Sequence, residues 1–326
     1  GGGGNDGGDA VSASGFAQPA KDINKGDYKI AFIPLGASGP TIPMTLEGYQ
    51  DAVGGEGSNI KIEVFDSQFD TTNQINIMNE CITQGFDAII LEPNDANALN
   101  DVMAQAEAAG IPVVTRNVGA TGPRTGHVLN SDYRAGWDAG AYIKENADVP
   151  EKAKVLMLDV VADLKPTTRM GTGFEDFLKQ ETAWELLETQ AVENTSQENA
   201  NTIMRDLLTK YDDIDIVYTV NDDCAMGALQ AIESAGRQKE GIIIWGYEGH
   251  PNALVAIKEG RLYGTSYADV YQQSYATMMQ VLYFIQTGIT AKALGFEYYP
   301  TIEFKTFPCT VENYEEILRY THWDLD

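Results

Sequence analysis

Residues 87–95 read DAIILEPND, and residues 111–115 read IPVVT, on either side of a helical pattern over Ala96–Ala109. The apolar runs in the two flanking segments are continuous rather than alternating, which is typical of strands covered on both faces of a parallel sheet. The helical pattern stops at Gly110 and a proline follows two residues later, a strong signal for a helix end. This strand–helix–strand order predicts a doubly wound α/β unit.

The same alternation extends over most of the chain. Short β-prone runs form two series with similar spacing: Lys29–Pro34, Ile60–Phe65, Asp87–Leu91 and Ile111–Thr115, then Lys154–Asp159, Glu185–Ala191, Asp215–Val220 and Gly241–Gly246. One large sheet would also fit this pattern, but single sheets with so many strands are uncommon. We therefore favour two α/β lobes of like topology.

Charge and composition exclude several classes of protein. The chain has 22 Lys and Arg against 48 Asp and Glu, a net charge of −26. Such a surface repels nucleic-acid phosphates and anionic membranes, so neither is expected as a partner. No apolar run approaches the roughly 18 residues of a membrane-spanning helix.

Motifs for catalysis and metal binding are absent from the sequence. The three cysteines Cys81, Cys224 and Cys309 lack zinc-site spacing, and we expect three free thiols rather than one disulfide. No phosphate loop, GxGxxG, GxSxG or HExxH occurs. His250 follows a predicted strand and is interpreted as a turn residue rather than a base. We expect no enzyme activity, no catalytic residues, no metal and no cofactor.

Residues 1–27 form a Gly-rich segment without hydrophobic periodicity, predicted to be a flexible N-terminal tether. It is either a cloning remnant or the spacer of a lipoprotein anchored through a Cys preceding Gly1. We favour the lipoprotein spacer, which implies an extracytoplasmic location in the periplasm or on the outer face of the cell membrane.

Ligands of open α/β sheets bind beyond the carboxyl ends of the strands. Here those positions are rich in polar residues, including Glu92–Asp95, Arg116 with Asn117, Asn221–Asp223 and Tyr247–His250. They contain no recognisable catalytic set. This composition favours binding of a small polar molecule.

Between about Tyr28 and Tyr314 the chain contains, in this order, KIAFIPL at 29–35, DSQ at 66–68, DAIILEPND at 87–95, AGIPVVT at 109–115, NSDYRAGWDAG at 130–140, RMGTGF at 169–174, NDDCAMGALQA at 221–231, GYEGHP at 246–251 and TVENY at 310–314. These segments resemble, in the same order, those of the type I periplasmic-binding-protein family, specifically its ribose-binding branch.

The resemblance implies two doubly wound parallel-sheet lobes joined by a three-strand hinge, the type I periplasmic binding protein fold. The implied N-terminal lobe comprises 28–130 plus 269–299, and the C-terminal lobe 131–268 plus 300–326. The helix Val270–Gly288 then belongs to the N-terminal lobe, which periodicity alone does not indicate.

The resemblance also implies ligand-binding positions near the strand ends. Asn221 matches an Asn that hydrogen-bonds sugar hydroxyls, and Glu248 stands where an Asp is usual. The full set of implied ligand-binding residues is Ser38, Thr41, Arg116, Asn117, Arg169, Asn194, Asn221, Glu248 and Asp269.

One feature of the family is missing, because the first loop contains no Phe to stack on a sugar ring. The aromatic residues that could replace it are Tyr133, Trp137, Tyr247 and Tyr267, although Trp137 fits a core position equally well.

By resemblance, the chain is expected to capture a small polar ligand, a monosaccharide, to close on it by hinge motion and to deliver it as a monomer to an ABC permease and its ATPase. The alternative is a sensory receptor that presents a bound sugar or signalling molecule to a membrane signalling protein. A DNA-binding regulator with this fold is disfavoured because the acidic N-terminus lacks a helix-turn-helix.

Overall fold

The computed structural model describes residues 22–288, 299–319 and 321. Most of the predicted tether, residues 1–21, lies outside the described residues. The described strands are β1 Tyr28–Ile33, β2 Ile60–Val64, β3 Ala88–Leu91, β4 Val113–Arg116, β5 Gly126–Asn130, β6 Lys154–Asp159, β7 Glu185–Ala191, β8 Ile216–Thr219, β9 Ile243–Glu248, β10 Gly264–Tyr267, β11 Thr301–Phe304 and β12 Phe307–Thr310.

The described helices follow the strands in alternation. They are α1 Ile42–Ala52, α2 Thr71–Thr83, α3 Asn100–Ala108, α4 Asp132–Asn146, α5 Met170–Glu181, α6 Gln197–Lys210, α7 Asp222–Ser234, α8 Pro251–Lys258, α9 Val270–Thr287 and α10 Tyr314–Leu318. None of these helices is long and apolar enough to cross a membrane.

The chain divides into two compact units, which we call the N-terminal and C-terminal lobes. Of the described residues, the N-terminal lobe comprises 22–129, 271–288 and 299–303, and the C-terminal lobe comprises 130–270, 304–319 and 321. The chain thus passes from one lobe to the other three times. The expected lobe boundaries differ from these by a few residues at each crossing.

The largest boundary difference is at the third crossing. The sequence analysis assigns residues 300–303 to the C-terminal lobe, whereas β11 lies beside β5 in the N-terminal sheet. The amide of His127 also donates to the carbonyl of Pro300 at 2.9 Å. The backbone hydrogen bonds of β5 therefore hold this segment in the N-terminal lobe.

The two sheets have the same strand order. The N-terminal sheet runs β11-β5-β4-β3-β1-β2 and the C-terminal sheet β12-β10-β9-β8-β6-β7. The strands from β1 to β10 pair in parallel within their sheets, whereas β12 is antiparallel to β10. These sheets confirm the predicted fold class of two parallel-dominated α/β lobes.

Buried apolar strands form a separate core in each lobe. In the N-terminal lobe, β3 is buried at every position and packs with Met78, Phe86 and Met103. In the C-terminal lobe, the fully buried Trp245 on β9 donates its indole N–H to Ser266 at 3.0 Å. Because the two cores are separate, the positions of the strand ends in each lobe depend on the packing of that lobe alone.

Two glycines allow α4 and α5 to approach closely in the C-terminal lobe. A Cβ on Gly136 would overlap the carbonyl oxygen of Met170, and a Cβ on Gly173 would overlap that of Tyr133. Both clashes involve backbone atoms, which cannot move aside as a flexible side chain can. This contact therefore fixes the start of α5, where Arg169 lies.

We expect Gly173→Ala to destabilise the C-terminal lobe by about 3 kcal/mol, because overpacking against backbone cannot be relieved locally. Urea unfolding followed by circular dichroism measures the change. Gly57→Ala is the control, since no atom lies within 4 Å of a Cβ at Gly57. Equal stability of the two variants would contradict the close helix contact.

Candidate functional site

The register of β3 and β4 brings two charged residues together at the carboxyl edge of the N-terminal sheet. Leu91 pairs with Thr115, so the next residues, Glu92 and Arg116, lie side by side. Arg116 is only 2% exposed, and its Nη1 lies 2.5 Å from Glu92 Oε1. Its Nη2 donates to Ser274 Oγ at 3.2 Å. Arg116 is therefore buried beneath the carboxyl edge of the N-terminal sheet, where its charge is paired with that of Glu92.

Asn117 follows Arg116 and is half-buried at the same edge. Its backbone is left-handed, with φ of 57°, a conformation that Asn tolerates better than most residues. Its Nδ2 donates to Glu92 Oε1 at 3.2 Å, and its Oδ1 accepts from Gln273 Nε2 at 2.7 Å. Two neighbours thus hold this side-chain amide from opposite ends.

The loop after β1 carries the other two candidates of the N-terminal lobe. Ser38 is exposed, and Thr41 is half-buried at the N-cap of α1 without a side-chain capping bond. The loop is tied to the end of β2, because the amide of Ala37 donates to Asp66 Oδ1 at 3.0 Å.

An exposed aromatic that the sequence analysis missed packs on this loop. Phe69 is 40% exposed, has φ of 55° and lies against Gly36. Its amide donates to the carbonyl of Leu35 at 2.8 Å. The only sequence signal was its place four residues after the predicted strand run Ile60–Phe65, in a loop with no other apolar side chain.

In the C-terminal lobe, Asn221 caps α7. Its Oδ1 accepts from the amide of Cys224 at 2.8 Å, and its Nδ2 donates to the carbonyl of Thr195 at 3.0 Å. An amide has two donor hydrogens and two acceptor lone pairs. One of each is used by these bonds, so a donor and an acceptor remain in a fixed orientation.

The loop after β9 is pinned by a buried carboxylate. Asp222 accepts from the amides of Gly249 and His250 at 2.7 and 2.6 Å and from Thr265 Oγ1 at 2.7 Å. Burial raises the pKa of Asp222 to about 6, although its hydrogen bonds oppose the shift. At the start of this loop, Glu248 has a φ of 98°, a backbone conformation that residues other than glycine rarely adopt.

His250 holds the Glu248 side chain. Its Nε2 lies 2.5 Å from Glu248 Oε2, and its Nδ1 lies 3.7 Å from Asp223 Oδ1. Burial alone lowers the pKa of His250, but its interactions with Asp223, Glu248 and Asp222 outweigh burial and raise that pKa well above its ordinary value. His250 is thus a buried cation that orients Glu248, a role the sequence analysis missed by treating it as a turn residue.

The three remaining candidates all lie in the C-terminal lobe. Arg169 is exposed, with its guanidinium carbon 5.1 Å from the centre of the Tyr133 ring. Asn194 is exposed in a short 3₁₀ turn with φ of 56°. Asp269 is half-buried just beyond β10.

All four aromatic candidates are packed or hydrogen-bonded within the lobe, Tyr133 by donating its hydroxyl to Asp176 at 2.8 Å. Trp137 packs edge-on against Phe177 with ring centres 5.4 Å apart, as expected for a core position. Tyr247 is buried and donates to Asp132 at 2.8 Å, and Tyr267 is buried. Tyr133 lies under Arg169. Within the described ranges, no group of His, Cys, Asp or Glu could hold a metal ion.

The model of the periplasmic binding protein domain matches residues 30–288. The chain belongs to this family. It is 29% identical to the ribose import binding protein of Bacillus subtilis over 251 residues, covering 77% of this chain and 79% of the relative. It is 28% identical to the fructose import binding protein of Bifidobacterium longum over 262 residues, covering 78% of each.

Solved structures of this fold superpose on most of the chain. The myo-inositol binding protein of Caulobacter has a TM-score of 0.78 at 22% identity, covering 88% of this chain and 95% of that protein. A galactofuranose binding protein has a TM-score of 0.79 at 19% identity, covering 90% and 98%. The ribose-like resemblance predicted from the sequence is confirmed. Membership implies an extracytoplasmic location, and the relatives are named as import binding proteins.

We expect the free energy of unfolding to fall as the pH rises above 6.5, because folded His250 keeps a proton that the unfolded chain releases near that pH. Its contribution is complete below pH 6.5 and is lost as the pH rises through the higher folded pKa. The slope from this one proton is up to about 1.4 kcal/mol per pH unit. His250→Gln removes this slope between pH 6.5 and 8, measured by urea unfolding.

His127→Gln is the matched control. Burial lowers the pKa of His127 to about 4, so this histidine is largely neutral in both states above pH 6.5. The control variant therefore keeps the wild-type slope. Parallel pH profiles for wild type and His250→Gln would exclude a buried imidazolium at position 250.

Proposed function

We propose that this chain binds a neutral monosaccharide or a related polyol and delivers it to an ABC importer. The observation that carries the proposal is the oriented amide of Asn221, which keeps one donor and one acceptor after its bonds to Cys224 and Thr195. A sugar hydroxyl both donates and accepts, so it complements this pair. The held carboxylate of Glu248 adds a charged acceptor at the same edge of the sheet.

The relatives support this ligand class. Their names include ribose, fructose, D-apiose and xylitol, and structural neighbours carry myo-inositol or D-allose. These compounds differ in ring size and even in having a ring, but all are small and rich in hydroxyls. The shared chemistry, rather than one sugar, is what transfers to this chain.

The ligand-binding residues we propose lie on both lobes. Ser38, Thr41 and Asn117 belong to the N-terminal lobe, with Phe69 as an apolar contact for a sugar ring. The C-terminal lobe supplies Arg169, Asn194, Asn221, Glu248 and Asp269. Arg116, expected to touch the ligand, we now propose to act through Glu92 instead, because it is buried and paired.

The partners follow from the family. We propose that the chain works as an extracytoplasmic monomer with an ABC permease and its ATPase, and that it catalyses no reaction itself. The net charge of −26 gives no basis for binding nucleic acid.

A thermal-shift panel of D-ribose, D-fructose, D-apiose, xylitol and myo-inositol, with amino acids for comparison, tests the ligand class. Binding to the folded state alone adds about 2.7 kcal/mol at 100 times the dissociation constant. For lobes of this size that corresponds to an increase in melting temperature of about 5–10 °C. Shifts with amino acids but with no sugar or polyol would refute the proposal.

Two substitutions at Asn221 separate binding from capping. Asn221→Ser keeps an N-cap oxygen, so its stability stays near wild type, whereas Asn221→Ala loses about 1 kcal/mol. Both remove the amide, and both should weaken binding of the panel compound at least 10-fold by calorimetry. Asn79→Ala is the control, since the Asn79 amide bonds to the carbonyl of Ile75 on its own helix. Wild-type affinity in Asn221→Ser would remove Asn221 from the site.

A further inference from the structure

The side-chain amide of Asn117 is held by residues from two other elements of the N-terminal lobe. Glu92 follows β3, and Gln273 lies on the first turn of α9, at the start of the segment that returns to this lobe. Gln273 is 156 residues from Asn117 in sequence and only 1% exposed. A buried glutamine in this position requires an explanation, because a nonpolar side chain would fill the space without desolvation cost.

We propose that Gln273 and Glu92 are positioning residues that fix the orientation of the Asn117 amide, making α9 part of the ligand-binding apparatus of the N-terminal lobe. This inference rests on the proposed function, because Asn117 is a proposed ligand contact.

Arg116 determines which atoms donate and which accept in the hydrogen bonds among Glu92, Asn117 and Gln273. Its guanidinium only donates, so it favours Glu92 as an ionised carboxylate, which only accepts. Asn117 must then turn its Nδ2 toward Glu92 and its Oδ1 toward Gln273, which donates from Nε2. Reversing the Asn117 amide would place two acceptors, Oδ1 and Glu92 Oε1, against each other. The buried charge therefore decides which end of Asn117 donates and which accepts.

The unused capacity of Asn117 matches a hydroxyl. One Nδ2 hydrogen and one Oδ1 lone pair remain after the two internal bonds. A freely rotating amide could present either atom to a ligand, but a fixed one distinguishes hydroxyls by position. Orientation at Asn117 thus contributes specificity as well as affinity.

Among the described residues, only the donor end of the Gln273 side-chain amide forms a hydrogen bond. Its Oε1 is buried and has no hydrogen-bond partner among the described residues. The donor end is therefore the end that the arrangement uses.

The first test needs no ligand. Relaxation of the Asn117 Nδ2 group by ¹⁵N NMR, assigned by its loss in Asn117→Ala, should report a rigid amide in wild type and a mobile one in Gln273→Met. Gln280→Met is the matched control, because Gln280 is also buried on α9 but its Nε2 faces the carbonyl of Pro300. An Asn117 amide that is equally rigid in Gln273→Met overturns the proposal.

The second test is a double-mutant cycle by calorimetry with the panel compound that gives the largest thermal shift. Gln273→Met should weaken binding about 10-fold in wild type and have no further effect in Asn117→Ala. Its effect on urea unfolding should also be smaller in Asn117→Ala, because the two side chains are hydrogen-bonded to each other. Additive losses of affinity would assign Gln273 a purely structural role.

The two tests separate this inference from the proposed function. If no panel compound binds wild type, the proposed ligand class fails, and the relaxation measurement still decides whether Gln273 holds Asn117.

Discussion

The parallel register of β3 and β4 sets Glu92 beside Arg116, and the chemistry of the N-terminal lobe depends on that buried ion pair. Desolvating the two charges is costly, so the pair persists only because each partner satisfies the other; removing one member of such a pair typically costs about 3–5 kcal/mol. The pair adds little net stability by itself. The pair also sets a direction, because Glu92 accepts hydrogen bonds from Arg116 and therefore requires the Asn117 amide to turn its donor end toward it.

The C-terminal lobe also contains a buried charge that supports a residue at its polar edge, although the residues differ. Asp222 is the buried charge there, and it holds the loop after β9 through two backbone amides. Glu248 has a left-handed backbone like that of Asn117, and a buried partner, His250, fixes its side chain. A positive φ at a non-glycine residue costs about 1–3 kcal/mol and survives only where neighbours over-determine it. In both lobes a buried charge thus supports a strained residue at the polar edge.

The sequence predicted the parts of the molecule that follow local rules. Continuous apolar runs located β1, β3, β4 and β9, because buried parallel strands require them. The strands β5 (GHVLN) and β10 (GTSY) were missed because they are short and polar, and are strands only through their neighbours. Gln273 and His250 carry no periodic signal. Their contacts with Asn117 and Glu248 exist only after folding, and the burial of Arg116 likewise has no signal in the sequence.

Internal pairing of charge at the polar edges argues for an uncharged ligand. Arg116 is paired with Glu92, and His250 lies between Glu248 and Asp223. An anionic ligand would meet the carboxylates of Glu248 and Asp223, and a cationic one would compete with His250 for the Glu248 carboxylate. A neutral polyol needs neither a counter-charge nor the breaking of these pairs. It needs oriented donors and acceptors, and those are what the amides of Asn117 and Asn221 retain.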